Sequence, residues 1–218
     1  MPESSRTGDA GLAVPARIMV VDDDPSVREA LANLLESVDF EVEAYPAPAD
    51  FLASSNPASA NCLILDVRMP MTSGFDVQCA LGEAGIRTPV IFITGYGDIP
   101  MSVRAMKAGA VDFLAKPFRD QDLLDAVAAA VERDRQRRAL DTVRQEHLLR
   151  FDTLSAREKQ VMRLATSGLM NKEIAFQLGL SMITVKTHRG KVMRKMNARS
   201  FADLVRISEM LGEGGASG

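Results

Sequence analysis

Apolar and polar positions change rhythm once along this chain, near Phe118. From Arg17 to that point the apolar runs "IMVV", "EVEAY", "CLIL", "PVIFI" and "VDFLA" alternate with amphipathic stretches such as "SVREALANLL", "FDVQCALGEAG" and "MSVRAMKAGA". Each run has the length and the β-branched or aromatic content of a strand. Strands alternating with helices predict βαβ units around a doubly wound parallel sheet, an α/β domain covered on both faces. Ligands of such sheets bind outside the carboxyl ends of the strands, near the switch in strand order.

After Arg119 the strand signals stop, and no glycine or proline occurs before Gly168. "RDQDLLDAVAAAVERDRQRRALDTVRQEHLL" is built of good helix formers, and Asp134 and Arg138 have the spacing of a pair on an exposed helix. Leu124, Val127, Ala128 and Val131 form an apolar stripe that fades through the Arg-rich part. The pattern predicts a helix that covers the sheet and runs on as a linker, with a coiled-coil dimer as the less favoured alternative because the stripe is interrupted. A small all-α domain follows. "SARE" (Ser155 to Glu158) has capping-box spacing, a second helix runs from Asn171 to near Gly179, a third starts at Ser181 and a fourth near Ser200.

The boundaries expected from these patterns are 1–16 for a disordered lead-in, 17–131 for the α/β domain, 132–150 for the linker helix, 151–211 for the helical domain and 212–218 for a disordered Gly-rich tail. A length of 218 residues, with 46% hydrophobic and 25% charged side chains, suits two globular domains of ordinary size. No apolar run approaches the ~20 residues that span a bilayer, and the lead-in has no apolar core like that of a signal peptide. A cytoplasmic protein is expected. Cys62 and Cys79 stand in no metal or redox spacing and read as buried, reduced thiols.

Candidate chemistry sits where the strand rule puts it. Asp22 and Asp23 close the first run, Asp66 closes "CLILD", Thr94 closes "PVIFIT" and Lys116 follows "VDFLA". Singly, a strand-end Asp reads as a turn former or a cap, and Asp24, followed by Pro25, reads as such a cap. Together the five side chains converge on one crevice. Its carboxylates make an oxygen-rich site for a hard cation such as Mg²⁺, which would relieve their mutual repulsion. Lys116 and Thr94 suit an anion, with phosphate the obvious one, and an Asp can serve as nucleophile and become an aspartyl phosphate.

The stretches "VVDDD", "LILDVRMPMTSGFD", "FITGYGD" and "VDFLAKPF" resemble the receiver domain of two-component response regulators, over about Arg17 to Val131. That resemblance implies a flavodoxin-like, five-stranded sheet. It further implies Asp66 as phosphoacceptor, and Mg²⁺ held by Asp22, Asp23, Asp66 and the backbone carbonyl of Arg68. Thr94 and Lys116 would contact the phosphoryl group, Lys116–Pro117 would be cis, and Phe113 would be the switch aromatic that turns inward as Thr94 moves. The donor would be a histidine kinase. Arg68 and Tyr96 stand where similar receivers tune dephosphorylation.

Between Ser181 and Ala202 there is no acidic residue, whereas Lys186, Arg189, Lys191, Arg194, Lys195 and Arg199 all fall there. A basic face is ordinarily just solvated. Here, Val185, Val192 and Met196 at helical spacing would pack inward with part of His188 or Arg189, leaving Lys186, Thr187, Gly190 and Arg194 opposite. A short helix, an "LGLS" turn and this second helix make a helix-turn-helix, whose second helix enters the major groove. The sequence from about Phe151 to Leu211 resembles the LuxR-type DNA-binding domain. Joined to a receiver, it resembles a NarL/FixJ-family transcription regulator, nearer the FixJ side. The family motif implies base readers at Lys186, Thr187 and Gly190, the last offering backbone only. Arg189, Lys191 and Arg194 would add contacts mainly to phosphates, as would Thr184 and Lys172. Dimerisation on inverted-repeat DNA would use the last helix.

The expected partners are a histidine kinase, promoter DNA, a second copy of the chain on phosphorylation, and RNA polymerase. The chain then reads as a regulator that favours activation and not as an enzyme. A rival reading takes Asp22 and Asp24 as the D-x-D of a haloacid-dehalogenase-type phosphatase. Such enzymes usually carry further acids after the lysine, but "AKPFRDQ" offers only Asp120 and Asp122, on a helix. It also leaves Asp66 and the basic helix without a role.

Overall fold

The structure, a computed structural model, describes residues 15–53, 56–95 and 99–212. Tyr96, most of the expected lead-in and the end of the expected tail lie outside these residues. The chain divides into two compact units, Met1–Gln136 and Arg137–Gly218.

In the first unit, β1 (Arg17–Val21), β2 (Glu41–Tyr45), β3 (Cys62–Asp66), β4 (Val90–Thr94) and β5 (Asp112–Ala115) form one sheet in the order β2-β1-β3-β4-β5. Every pairing is parallel. The strand order reverses between β1 and β3, so a crevice opens there at the carboxyl ends. Helices α1 (Pro25–Glu36), α2 (Pro48–Ala53), α3 (Gly74–Glu83), α4 (Ile99–Lys107) and the first half of α5 (Asp120–Asp152) cover the sheet. Asp24 caps α1, accepting from the Ser26 N–H, with Pro25 in the first turn.

Strand periodicity divides the interior into two layers. Ile18, Val20, Ile64, Ile91 and Ile93 join Leu31 and Leu35 of α1 and Leu123, Val127 and Ala130 of α5. Met19, Val21, Leu63, Leu65 and Phe92 join Phe51, Phe75, Val77, Leu81 and Ala105 of α2, α3 and α4 on the other face. Both faces of β1, β3 and β4 being buried, these three strands read as nearly continuous apolar runs, whereas the edge strands β2 and β5 are partly exposed.

Four details differ from the sequence reading. Helix α2 was not anticipated; it is one and a half turns long, too short for a period to register. The buried edge of α5 is Leu123, Ala126, Val127 and Ala130, with Ala128 exposed. Asp134 is fully buried instead of lying on an exposed face, and accepts a 2.9 Å bond from the Asn61 side chain. Cys62 is buried as expected, and burial, then the Asp134 charge, pushes its thiol far up. Cys79 lies exposed on α3.

In the second unit, α6 (Ala156–Thr166), α7 (Asn171–Leu178), α8 (Met182–Lys195) and α9 (Phe201–Leu211) pack around the end of α5. Ser155 and Glu158 form the anticipated capping box. Helix α8 belongs to both small cores: Val185 packs with Val161, Ala165 and Ile174, while Val192 and Met196 pack with Phe151, Met162, Leu204 and Ile207. Among the described residues, no helix is long and apolar enough to cross a membrane.

Candidate functional sites

The acidic crevice is assembled by strand register. Val21 lies beside Leu65, so the residues that follow on β1 and β3, Asp22 and Asp66, meet at the sheet's carboxyl edge. Asp22 is fully buried and Asp66 is 7% exposed, whereas Asp23 faces solvent. One carboxylate oxygen from each of the three lies within 4.8 Å of the others. Lys116 donates to Asp22 at 2.7 Å and to Asp66 at 3.0 Å. The remaining Asp22 oxygen accepts from the Asp24 N–H at 2.9 Å, and that of Asp66 from the Arg68 N–H at 3.0 Å. Each oxygen of this buried pair therefore has a donor, as burial of charge requires.

Burial pushes the Asp66 carboxyl up, and the nearby Asp22 charge adds to this; the Arg68 N–H and Lys116 pull the other way without cancelling it. Burial works against the Lys116 charge too, but its bonds to Asp22 and Asp66 outweigh that and hold its pKa up. The donor set offered to a cation consists only of oxygens, the ligand chemistry of Mg²⁺ and not of a softer metal. Three clustered carboxylates with one lysine between two of them fit such an ion.

Thr94 ends β4 and is fully buried, and its carbonyl accepts from the Lys116 N–H at 2.8 Å. The Lys116–Pro117 bond is cis. Phe113 pairs in register with Phe92 and is half-buried against the Phe75 and Phe92 layer. Two positions escaped the sequence reading. The Arg28 guanidinium, one turn into α1, holds the Asp22 carbonyl at 2.8 Å. Gly74, at the start of α3, lies so close to Asp66 that an added Cβ would overlap the Asp66 carbonyl oxygen. The glycine in "TSGFD" was the available signal, because close backbone approach is what a glycine permits.

In the second unit, α7, a turn through left-handed Gly179 (φ 64°) and α8 make a helix-turn-helix. Ser181 caps α8 through the Thr184 N–H, and its hydroxyl lies 2.9 Å from that of Thr184, which is half-buried. Lys186, Thr187, Gly190, Lys191 and Arg194 are exposed along α8, and Lys172 is exposed on α7. Two basic residues of α8 are held inside the unit. Arg189 donates to the Asn171 side chain at 2.7 Å and stacks over Phe201 at 4.6 Å. Lys195 bonds Glu158 at 2.7 Å and the Thr153 carbonyl at 2.9 Å. They fix α8 to α7, α9 and the cap of α6, and leave its outer face to the other cations.

Comparisons with known proteins agree with this division. Residues 18–128 match the response regulator receiver domain, and residues 152–208 match the bacterial regulatory proteins of the luxR family. Nodulation protein W of Bradyrhizobium diazoefficiens is 55% identical over 94% of this chain and 90% of its own. Transcriptional regulatory protein FixJ of Azorhizobium caulinodans is 43% identical over 89% of this chain and 92% of its own. The solved structure of response regulator StyR superposes with a TM-score of 0.75 at 47% identity, covering 89% of this chain and 98% of that one. These matches give no support to the phosphatase reading. Two domains matched in order, by relatives that share the whole arrangement, show that the chain belongs to the NarL/FixJ-type response regulators, which join a receiver to a LuxR-type DNA-binding domain and regulate transcription.

Proposed function

We propose that Asp66 is the phosphoacceptor of this regulator and that its modification controls DNA binding by α8. The observation that carries this reading is the placement of Asp66, nearly buried, between Lys116 and the Arg68 N–H and within reach of Asp22 and Asp23. An Asp66 oxygen attacks the phosphorus of a histidine kinase's phosphohistidine. A P–O bond forms, the P–N bond breaks, and the imidazole nitrogen leaves with the electron pair. Asp22, Asp23, Asp66 and the Arg68 carbonyl would hold Mg²⁺, which neutralises phosphoryl oxygens as charge shifts between donor and acceptor.

Lys116, bonded to Asp66 before transfer, then finds a more charged partner in the phosphoryl oxygens. The Thr94 hydroxyl serves as the second donor. Its movement frees space for Phe113 to turn inward, which biases the α4–β5 surface between two states. That surface favours a homodimer or releases the DNA-binding unit. Two recognition helices presented at once raise operator affinity.

Lys186 and Thr187 read base edges in this scheme, while Lys191, Arg194, Lys172 and Thr184 contact phosphates. Arg189, bonded to Asn171 and stacked on Phe201, positions α8. The chain works in the cytoplasm on promoter DNA, with RNA polymerase as the downstream partner. The test is intact mass after incubation with acetyl phosphate and Mg²⁺, for wild type and Asp66→Asn. One added phosphoryl group on wild type alone is expected. Addition to both proteins would move the acceptor to another side chain, with Asp22 first in line.

A further inference from the structure

The outer face of α8 carries a residue that neither folding nor phosphate binding accounts for. Ile183, in the first turn, is 78% exposed. Its neighbours along the face at three- and four-residue spacing are Lys186, Thr187, Gly190 and Arg194, all exposed and directly opposite buried Val185 and Val192. Ile183 therefore stands at the N-terminal end of that stripe and on its midline, in the part of a recognition helix whose side chains meet base edges. A β-branched residue is a weak choice for an exposed helix position, and its side chain can neither donate nor accept a hydrogen bond. The local structure leaves it directed outward: the Ile183 carbonyl accepts from the Thr187 hydroxyl at 3.0 Å, and Ser181 and Thr184 are occupied with the cap.

A second feature lies two turns further on. Gly190 interrupts the interior of α8, where an added Cβ would meet nothing within 4 Å. Nothing inside the protein requires a glycine there, and a helical glycine costs stability relative to alanine. A glycine on the outer face lets another body approach the helix backbone closely. An apolar side chain and a backbone gap on one stripe define a surface that comes close to the groove floor and meets something apolar there. In the major groove that group is the C5-methyl of thymine.

We infer that Ile183 is a specificity-determining residue that reads a thymine methyl group in each half-site of the operator. This deepens the DNA-binding reading and rests on it. The test starts with selection of binding sites from a randomised duplex library by the full chain, treated with acetyl phosphate and Mg²⁺. A T·A pair is expected at one fixed position of each half-site. Deoxyuridine in place of that thymidine removes only the methyl group. Wild-type affinity should fall about fourfold for each half-site so changed, the effect of one lost buried methyl. Ile183→Ser should bind the thymidine site more weakly, show no response to deoxyuridine, and select sites in which that position is free. Ile183→Val, which keeps an apolar branch, should retain the response. Because the side chain is mostly in solvent, all variants should melt like wild type. Wild type indifferent to deoxyuridine, or Ile183→Ser responding as strongly as wild type, would overturn the assignment. A wild-type chain that enriches no sequence at all would instead bring down the DNA-binding reading beneath it.

Discussion

Replacing Gly190 with alanine separates what the protein needs from what its DNA needs. The added Cβ has no neighbour within 4 Å, so no steric cost arises within the chain. Gly190 lies inside α8, five residues short of its last residue, where alanine is favoured over glycine by about 1 kcal/mol. For a unit of this size, that gain raises the midpoint of thermal melting by about 4–8 °C. Binding should move the other way. If the helix backbone comes close to the groove floor at this position, the methyl group is an overpacking defect costing about 1 kcal/mol or more, which is at least about fivefold in Kd. The assay pairs calorimetry of the unbound chain with fluorescence anisotropy on a selected duplex, at one fixed salt concentration because the phosphate contribution varies with salt. A variant that is more stable and binds as tightly as wild type would refute the close approach. A variant that melts earlier would refute the claim that the protein leaves this site empty.

Two further outcomes follow from packing and charge. Gly74→Ala should destabilise the receiver by about 1–3 kcal/mol through overpacking and should slow phosphoryl uptake, since its methyl would displace the Asp66 carbonyl; Gly82→Ala on the same helix, which meets nothing, is the control, and urea unfolding with timed intact mass measures both. In the C-terminal unit, the bond from Lys195, then that from the Ser155 N–H, holds the buried Glu158 carboxyl below its ordinary range. A folded pKa below the unfolded one stabilises the protein above the unfolded value and loses that stabilisation as pH falls through the folded one. The urea midpoint of the C-terminal transition should therefore drop through and below the ordinary glutamate range, and Glu158→Gln should start lower and flatten that drop. An unchanged acid limb in the variant would remove Glu158 from the account.

What the sequence determined by itself was whatever is written at short range. Apolar runs of four or five residues located all five strands, the caps at Asp24, Ser155, Ser181 and Ser200 located helix starts, and the rule that ligands sit at strand ends gathered Asp22, Asp23, Asp66, Thr94 and Lys116. The face of α8 was equally legible, because a period of 3.6 residues assigns Val185 and Val192 inward and Lys186 and Arg194 outward once one of them is buried. Tertiary structure alone decided the partners of polar groups far apart in sequence. Asp134 has the spacing of a surface residue, yet it is buried and Asn61, just before β3, donates to it. Arg189 and Lys195 carry the same charge as Lys186, and only the folded positions of Asn171, Phe201 and Glu158 give them partners inside the unit. Cys79 and Ala128 look as apolar as the residues beside them, but the sheet and its helices cover only one side of each helix, and both lie on the uncovered side. Periodicity fixes which residues share a face; which faces are covered, and by what, depends on chain segments that meet only on folding.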